Sequence, residues 1–272
     1  MIHLLQAIIL GIVEGLTEFL PISSTGHLII AEKVIGFKDI QDLFTVVIQL
    51  GAIAAVVWFY RKDLIEKTIG LFRKDRGALN FWKILVIGTI PAGIFGLLLD
   101  KSMNTITTPI VIATTLILGG IVLWIVDNKP VHRHDDPVEL ADINTRQAVL
   151  VGLGQAVAII PGVSRSGATI VSGLAVKLNR PTATAFAFYL SIPVMILASA
   201  YKLLKYRSDI TVLPGGVPAL ALGLLAAFVT ALFAVSWLLR YIAHHNFKPF
   251  AYYRIGLGLL IFVLIMFGTL SA

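Results

Sequence analysis

The sequence contains no cysteine. That absence removes disulfides, thiolate nucleophiles and cysteine-ligated metals from consideration, while saying nothing of the compartment. Charge is scarce too: Asp, Glu, Lys and Arg make up 14% of the 272 residues, against about a quarter in soluble domains. Acidic residues are the rarer sign, 15 against 22 Lys and Arg, for a net charge of +7. What is present instead is hydrophobic: 57% of the chain, with a mean hydropathy of +0.90. A basic chain invites a nucleic-acid reading, but the cations lie mostly between long apolar runs. The positive-inside bias explains them more simply, and no nucleic acid is expected as a partner. Several apolar runs reach the roughly 20 residues that cross a bilayer. The N-terminal stretch MIHLLQAIILGIVE lacks a basic n-region and a small-residue cleavage site, and it carries Glu14 in its apolar run. It reads as retained structure, not a signal peptide.

These observations predict an all-α polytopic membrane protein forming a single integral membrane domain over 1–272. Residues 2–35 read as two apolar helical pieces joined by a break at LPISST, a re-entrant hairpin of the kind tolerated where irregular backbone is buried or lines a cavity. Spans are predicted over 44–60, 84–99 (kinked at Pro91) and 109–126, with a basic cytoplasmic loop at 61–83. A polar cytoplasmic linker, about 127–145, follows. Its His132, His134, Asp135 and Asp136 read as a solvated charged loop rather than a metal site, and His244 and His245 beyond a later span read the same way.

From Ala148 the chain starts again. AVLVGLGQAVAIIPGVSRSGATIVSGLAV repeats the pattern of AIILGIVEGLTEFLPISSTGHLIIAEKVI, matching Gly11 to Gly152, Glu14 to Gln155, Ser23 to Ser164, Ser24 to Arg165 and Gly26 to Gly167. Pro21 and Pro161 miss that register by one position. Spans at 183–201, 217–239 and 250–270 complete the second copy. A hairpin that returns to its own side, followed by three crossings, leaves each half on the opposite side from its start. The second copy is therefore expected to be inverted, an inverted-topology repeat of about 1–126 and 146–272. Such repeats place a site near the bilayer midplane, where the broken helices meet. Lys202, Lys205 and Arg207 fall on the expected outer side, against the charge rule.

The chemistry gathers at the two breaks. Glu14 and Glu18 share one helix face and offer hard oxygen ligands for a divalent cation, Mg²⁺ or Ca²⁺. Ser23, Ser24 and Thr25 offer hydroxyls, and His27 a proton donor or acceptor near neutral pH. The second break, PGVSRSGAT, has Ser164 or Ser166 to cap the following helix, Gly167 and Thr169 close behind, and Arg165 as a planar fork for phosphate oxygens. Ionisable groups inside apolar segments read as a functional site, and these suit phosphoryl transfer. The plainer alternative is a buried Arg165–Glu18 ion pair with the hydroxyls filling helix contacts. Gln155, Gln49 and Tyr189 read equally as packing polars or site residues, and Arg254 reads as a residue snorkelling to the interface. Ser24 is the first choice of nucleophile, with Glu18 or His27 as its base; His27 attacking directly and metal-activated water are the other options.

EGLTEFLPISSTGH together with PGVSRSGAT resembles the two signature motifs of the bacterial undecaprenyl pyrophosphate phosphatases, the family associated with bacitracin resistance. Ser23 to His27 match its Ser-Ser-Thr-Gly-His run, and Pro161 to Gly167 its Pro-Gly-x-Ser-Arg-Ser-Gly run. The resemblance implies a plasma-membrane enzyme that hydrolyses undecaprenyl pyrophosphate in the bilayer to undecaprenyl phosphate and inorganic phosphate. It further implies a divalent cation and a site opening to the outer side. The polyprenyl tail comes from the resemblance alone; an apolar cleft open to lipid would be its physical counterpart. Competing readings are a secondary transporter or flippase of a phosphate-bearing solute and a protein that merely sequesters the lipid. The sequence leaves the oligomeric state open, a homodimer being one option.

Overall fold

The computed structural model describes residues 1–39, 42–128, 140–207 and 213–270. His132, His134, Asp135 and Asp136 lie outside the described residues. Among the described residues the chain is all-helical, with eleven α-helices in the order α1 Ile2–Thr17, α2 Ser24–Ile35, α3 Leu43–Phe59, α4 Arg61–Phe72, α5 Arg76–Ile106, α6 Pro109–Asp127, α7 Thr145–Val157, α8 Arg165–Ala175, α9 Arg180–Lys205, α10 Gly216–Ile242 and α11 Lys248–Met266. Five of these, α5, α6, α9, α10 and α11, are long and apolar enough to cross a membrane, and six do so if the bent pair α3–α4 counts as one span. The chain is a multi-pass membrane protein.

Helices cover the expected spans, with their ends shifted by up to eight residues. One expectation is corrected: 61–83 is not a loop. The chain bends by 72° after α3 and continues as α4, and α5 begins at Arg76. Ile65, Ile69 and Phe72 recur at helical spacing and stay exposed, beside Arg61, Lys62 and Arg73. An apolar stripe edged by cations is the composition of a helix lying in the interface plane; charge density hid that period in the sequence. α5 also runs through Pro91 without interruption.

Both predicted breaks are present. α1 and α2 are separated at 18–23, and α7 and α8 at 158–164. The two tips share details. Ser23 and Ser164, equivalent in the repeat, are the residues before α2 and α8, and both adopt the same strained backbone (φ 69°, ψ 104° and φ 70°, ψ 113°). Gln6 Nε2 donates to the Ile35 carbonyl at 2.7 Å, and Gln147 Nε2 to the Val176 carbonyl at 3.1 Å, closing the open end of each hairpin in the same way.

The packing repeats as well. α1 lies against α10 and α7 against α5, while α3 packs on α9 and α6 on α11. A Cβ on Gly11 would sit 2.2 Å from the Gly223 carbonyl oxygen, and one on Gly152 would sit 2.5 Å from that of Gly88. Only glycine lets these backbones approach, and in lipid such close packing is a main source of helix association. At one end of the bundle Asp127 accepts from Arg180 Nε at 2.6 Å and from the Phe247 amide at 2.7 Å. At the other end Lys205 pairs with Asp100 at 2.5 Å and Lys202 with Asp42 at 3.4 Å. Two of the three cations expected to break the charge rule are thus held by carboxylates at their own end.

Candidate active site

The first tip begins where Pro21, which has no N–H to continue a helix, follows Glu18-Phe19-Leu20. The chain then re-enters a helix at Ser24, so Glu18 at the end of α1 faces the first turn of α2. Ser24 Oγ donates to Glu18 Oε2 at 2.6 Å, and both residues are buried. The second tip brings Arg165 to the same carboxylate: Nε and Nη2 each donate to Glu18 Oε1 at 3.3 Å, while Nη1 donates to the Ala187 carbonyl at 3.2 Å. The guanidinium also lies 5.5 Å from the Phe19 ring centroid. The ion pair considered from the sequence is therefore present. It does not exhaust the arginine, because a guanidinium has five N–H donors and three are used here.

His27 is set by its neighbours. Its Nδ1 lies 2.8 Å from the Ser23 carbonyl, which only accepts, so Nδ1 carries a proton. Nε2 lies 2.8 Å from the Tyr253 hydroxyl, and the two rings stack at 5.5 Å. Thr25 is exposed beside them. At the second tip Ser164 is the cap: its Oγ accepts from the Gly167 amide at 3.1 Å and contacts Ser166 Oγ at 3.1 Å. Ser166 Oγ donates across to the Leu20 carbonyl at 2.8 Å, and Thr169 Oγ1 donates to the Arg165 carbonyl at 2.7 Å.

Glu14 is the other buried carboxylate. Among the described residues neither of its oxygens has a hydrogen-bond partner. Glu18 and Gln49 lie against it without reaching hydrogen-bond geometry. Ser23 Oγ and both amide atoms of Gln155, the repeat counterpart of Glu14, are also buried and unpartnered. Among the described residues no three His, Asp or Glu side chains converge on one point. The donors thus fit Mg²⁺ or Ca²⁺ held by one or two carboxylates and completed by phosphate and water, not an all-protein cage. Tyr189 lies elsewhere: its hydroxyl donates to Asp63 on α4, and its ring packs on Tyr60 and Phe81.

Arg254 corrects an expectation. It does not snorkel; it is 1% exposed. Nη2 donates to the carbonyls of Val163 at 2.8 Å, Gly162 at 3.3 Å and Thr115 at 3.4 Å, and Nη1 reaches that of Pro21 at 3.5 Å. The sequence signal existed, since an arginine inside an apolar helix is a functional candidate by default. Its place six residues into α11, next to Tyr252 and Tyr253, favoured the interfacial reading. Tyr253 itself went unnoticed, as its only mark is the ring placed on His27.

Beside the tips runs an apolar cleft of about 540 Å³ between α1, α10 and α11. Leu16, Leu20, Phe233, Trp237 and Tyr253 line it, His27 stands at its wall, and Phe233 and Trp237 are exposed along it.

A family model described as bacitracin resistance protein BacA matches residues 7–260. The chain belongs to that family. Its relatives include an undecaprenyl-diphosphatase of Acidovorax ebreus, 43% identical over 98% of this chain and 97% of the relative. The undecaprenyl-diphosphatase 1 of Paraburkholderia xenovorans is 44% identical over 98% and 96%. That of Verminephrobacter eiseniae is 45% identical over 96% and 94%.

Proposed function

We propose that this chain is a membrane-embedded phosphatase that hydrolyses undecaprenyl pyrophosphate to undecaprenyl phosphate and inorganic phosphate. That reaction regenerates the lipid carrier for peptidoglycan and underlies bacitracin resistance. One observation carries the reading: a serine hydroxyl bound to a buried carboxylate, under an arginine with donors to spare, on a tip whose Leu20, Ile22 and His27 line an apolar cleft. The near-full-length likeness to undecaprenyl-diphosphatases names the substrate. The cleft suits the first isoprene units of a lipid whose pyrophosphate lies between the tips.

The residues then divide the work. Ser24 Oγ attacks the terminal phosphorus in line, its proton passes to Glu18, and the bond to the bridging oxygen breaks to release undecaprenyl phosphate. Water attacks the resulting phosphoserine, giving its proton to the base and releasing phosphate as Ser24 regains its own. Glu18 is preferred to His27 as the base, because the Ser24 hydroxyl already donates to it while both ring nitrogens of His27 are engaged. The free N–H groups of Arg165 hold phosphate oxygens. Glu14 and Glu18 would hold a divalent cation, which would supply positive charge for those oxygens. With Glu14 as its ligand, Glu14→Gln is expected to raise the Mg²⁺ concentration for half-maximal activity at least about tenfold, measured by Mg²⁺ titration after chelation. An unchanged midpoint removes Glu14 from the cation site.

We also read the two halves as an inverted repeat. The open end of the first hairpin lies near the Asp42, Asp100, Lys202 and Lys205 end, with His3 beside Gly215. The open end of the second hairpin lies near Asn80, whose amide donates to the Ala141 and Ile143 carbonyls. These contacts support hairpins dipping from opposite sides. The end bearing α4 would be cytoplasmic by its six basic residues against three acidic between 61 and 76, and the membrane the bacterial plasma membrane with the site opening outward.

Purified protein with undecaprenyl pyrophosphate and Mg²⁺ tests the function. Phosphate release that stops on chelation is expected. Uptake into liposomes without turnover would favour a transporter, and binding alone a sequestering protein.

A further inference from the structure

The breaks that create the site leave backbone carbonyls with no helical partner, and lipid offers no water to satisfy them. Arg254 takes three of these burdens at once, together with a carbonyl of α6. Pro21 belongs to the first tip, Gly162 and Val163 to the second, and Thr115 to α6, so one guanidinium touches three separate elements. Val163 directly precedes the capping residue Ser164 and the clamp Arg165. Arg254 makes no ion pair among the described residues, and its Nε has no partner. A buried charge kept without a counter-ion is expensive unless its geometry is being used. The slot is shaped to the guanidinium as well: a Cβ on Gly119 would sit 2.1 Å from Nη2, and one on Gly167 would sit 2.7 Å from Nη1.

We propose that Arg254 is a positioning residue for the reaction, clamping the two tip backbones so that Arg165 on one meets Glu18 and Ser24 on the other. It touches neither the nucleophile nor its base and acts through the carbonyls of Pro21, Gly162 and Val163. The role rests on the phosphatase reading of the site. Lysine keeps the charge but offers a point donor that cannot span these carbonyls. Gly119 on α6 is a second handle, since the close atoms facing it all belong to the Arg254 guanidinium. In a helix interior Gly→Ala is otherwise favourable, so Gly119→Ala should displace the arginine without weakening α6.

The test uses full-length protein in detergent micelles with undecaprenyl pyrophosphate. Arg254→Lys and Gly119→Ala are each expected to remain folded by size-exclusion profile and to lower kcat about 10²-fold, with KM little changed. Because Ser166 ties the same two tips through the Leu20 carbonyl, the loss in Arg254→Lys should be non-additive with that in Ser166→Ala. A readout free of turnover exploits the lack of native cysteine: in a Leu20→Cys, Ser166→Cys background, oxidative crosslinking should fall severalfold on adding Arg254→Lys. Wild-type kcat in both variants, or a loss matched entirely by the unfolded fraction, overturns the proposal, as does unchanged crosslinking. If the wild-type protein releases no phosphate while Arg254→Lys still lowers crosslinking, the phosphatase reading falls and the clamp stands.

Discussion

Ser24→Ala should lower turnover by about three to six orders of magnitude while leaving substrate binding largely intact. The size follows from what is removed: the attacking atom, together with the proton that Glu18 is placed to take. Ser23→Ala should be far milder. Ser23 Oγ is buried without a hydrogen-bond partner and so has no base, and Ser23 meets His27 through its backbone carbonyl, which alanine keeps. Rapid quenching of a reaction with labelled terminal phosphate decides among the attackers. Acid-stable phosphoserine at Ser24 is the expected adduct. An acid-labile, base-stable adduct would transfer the role to His27. Near-normal turnover in Ser24→Ala would leave water as the attacker.

Much of this arrangement was legible because its signals are local. The two breaks announce themselves as proline and serine inside runs otherwise fit to span a membrane. Ser23 and Ser164, matched to one another in the sequence, share one backbone conformation. Glu18, Ser24 and Arg165 were singled out by chemistry, and the structure brings all three together. What stayed hidden depends on partners far along the chain. The Tyr189 hydroxyl meets Asp63, an acid lost among the cations of a stretch taken for a loop. The burial of Arg254 requires α11 to lie on α6 and against both tips, and no periodicity within α11 encodes that. α4 was missed for the opposite reason: its apolar stripe is local, but its high charge outweighed Ile65, Ile69 and Phe72.

Arg165→Lys should lower kcat by about 10²–10³ while the protein still folds. Geometry separates the arginine's two roles. As counter-ion to Glu18 it needs only a positive charge, which lysine supplies. Removing the charge altogether would leave a buried carboxylate uncompensated, at a cost of about 3–5 kcal/mol, so Arg165→Met should fail to fold or aggregate. As clamp it must reach Glu18 Oε1 through Nε and Nη2, anchor on the Ala187 carbonyl through Nη1, and still present N–H groups to phosphate. A lysine ammonium has three donors at one point and cannot fill both sides of that arrangement. Steady-state kinetics on the monodisperse fraction measures the difference. A folded Arg165→Lys with wild-type kcat and KM would reduce Arg165 to a counter-ion. Phosphate recognition would then fall to the N-terminal turn of α8.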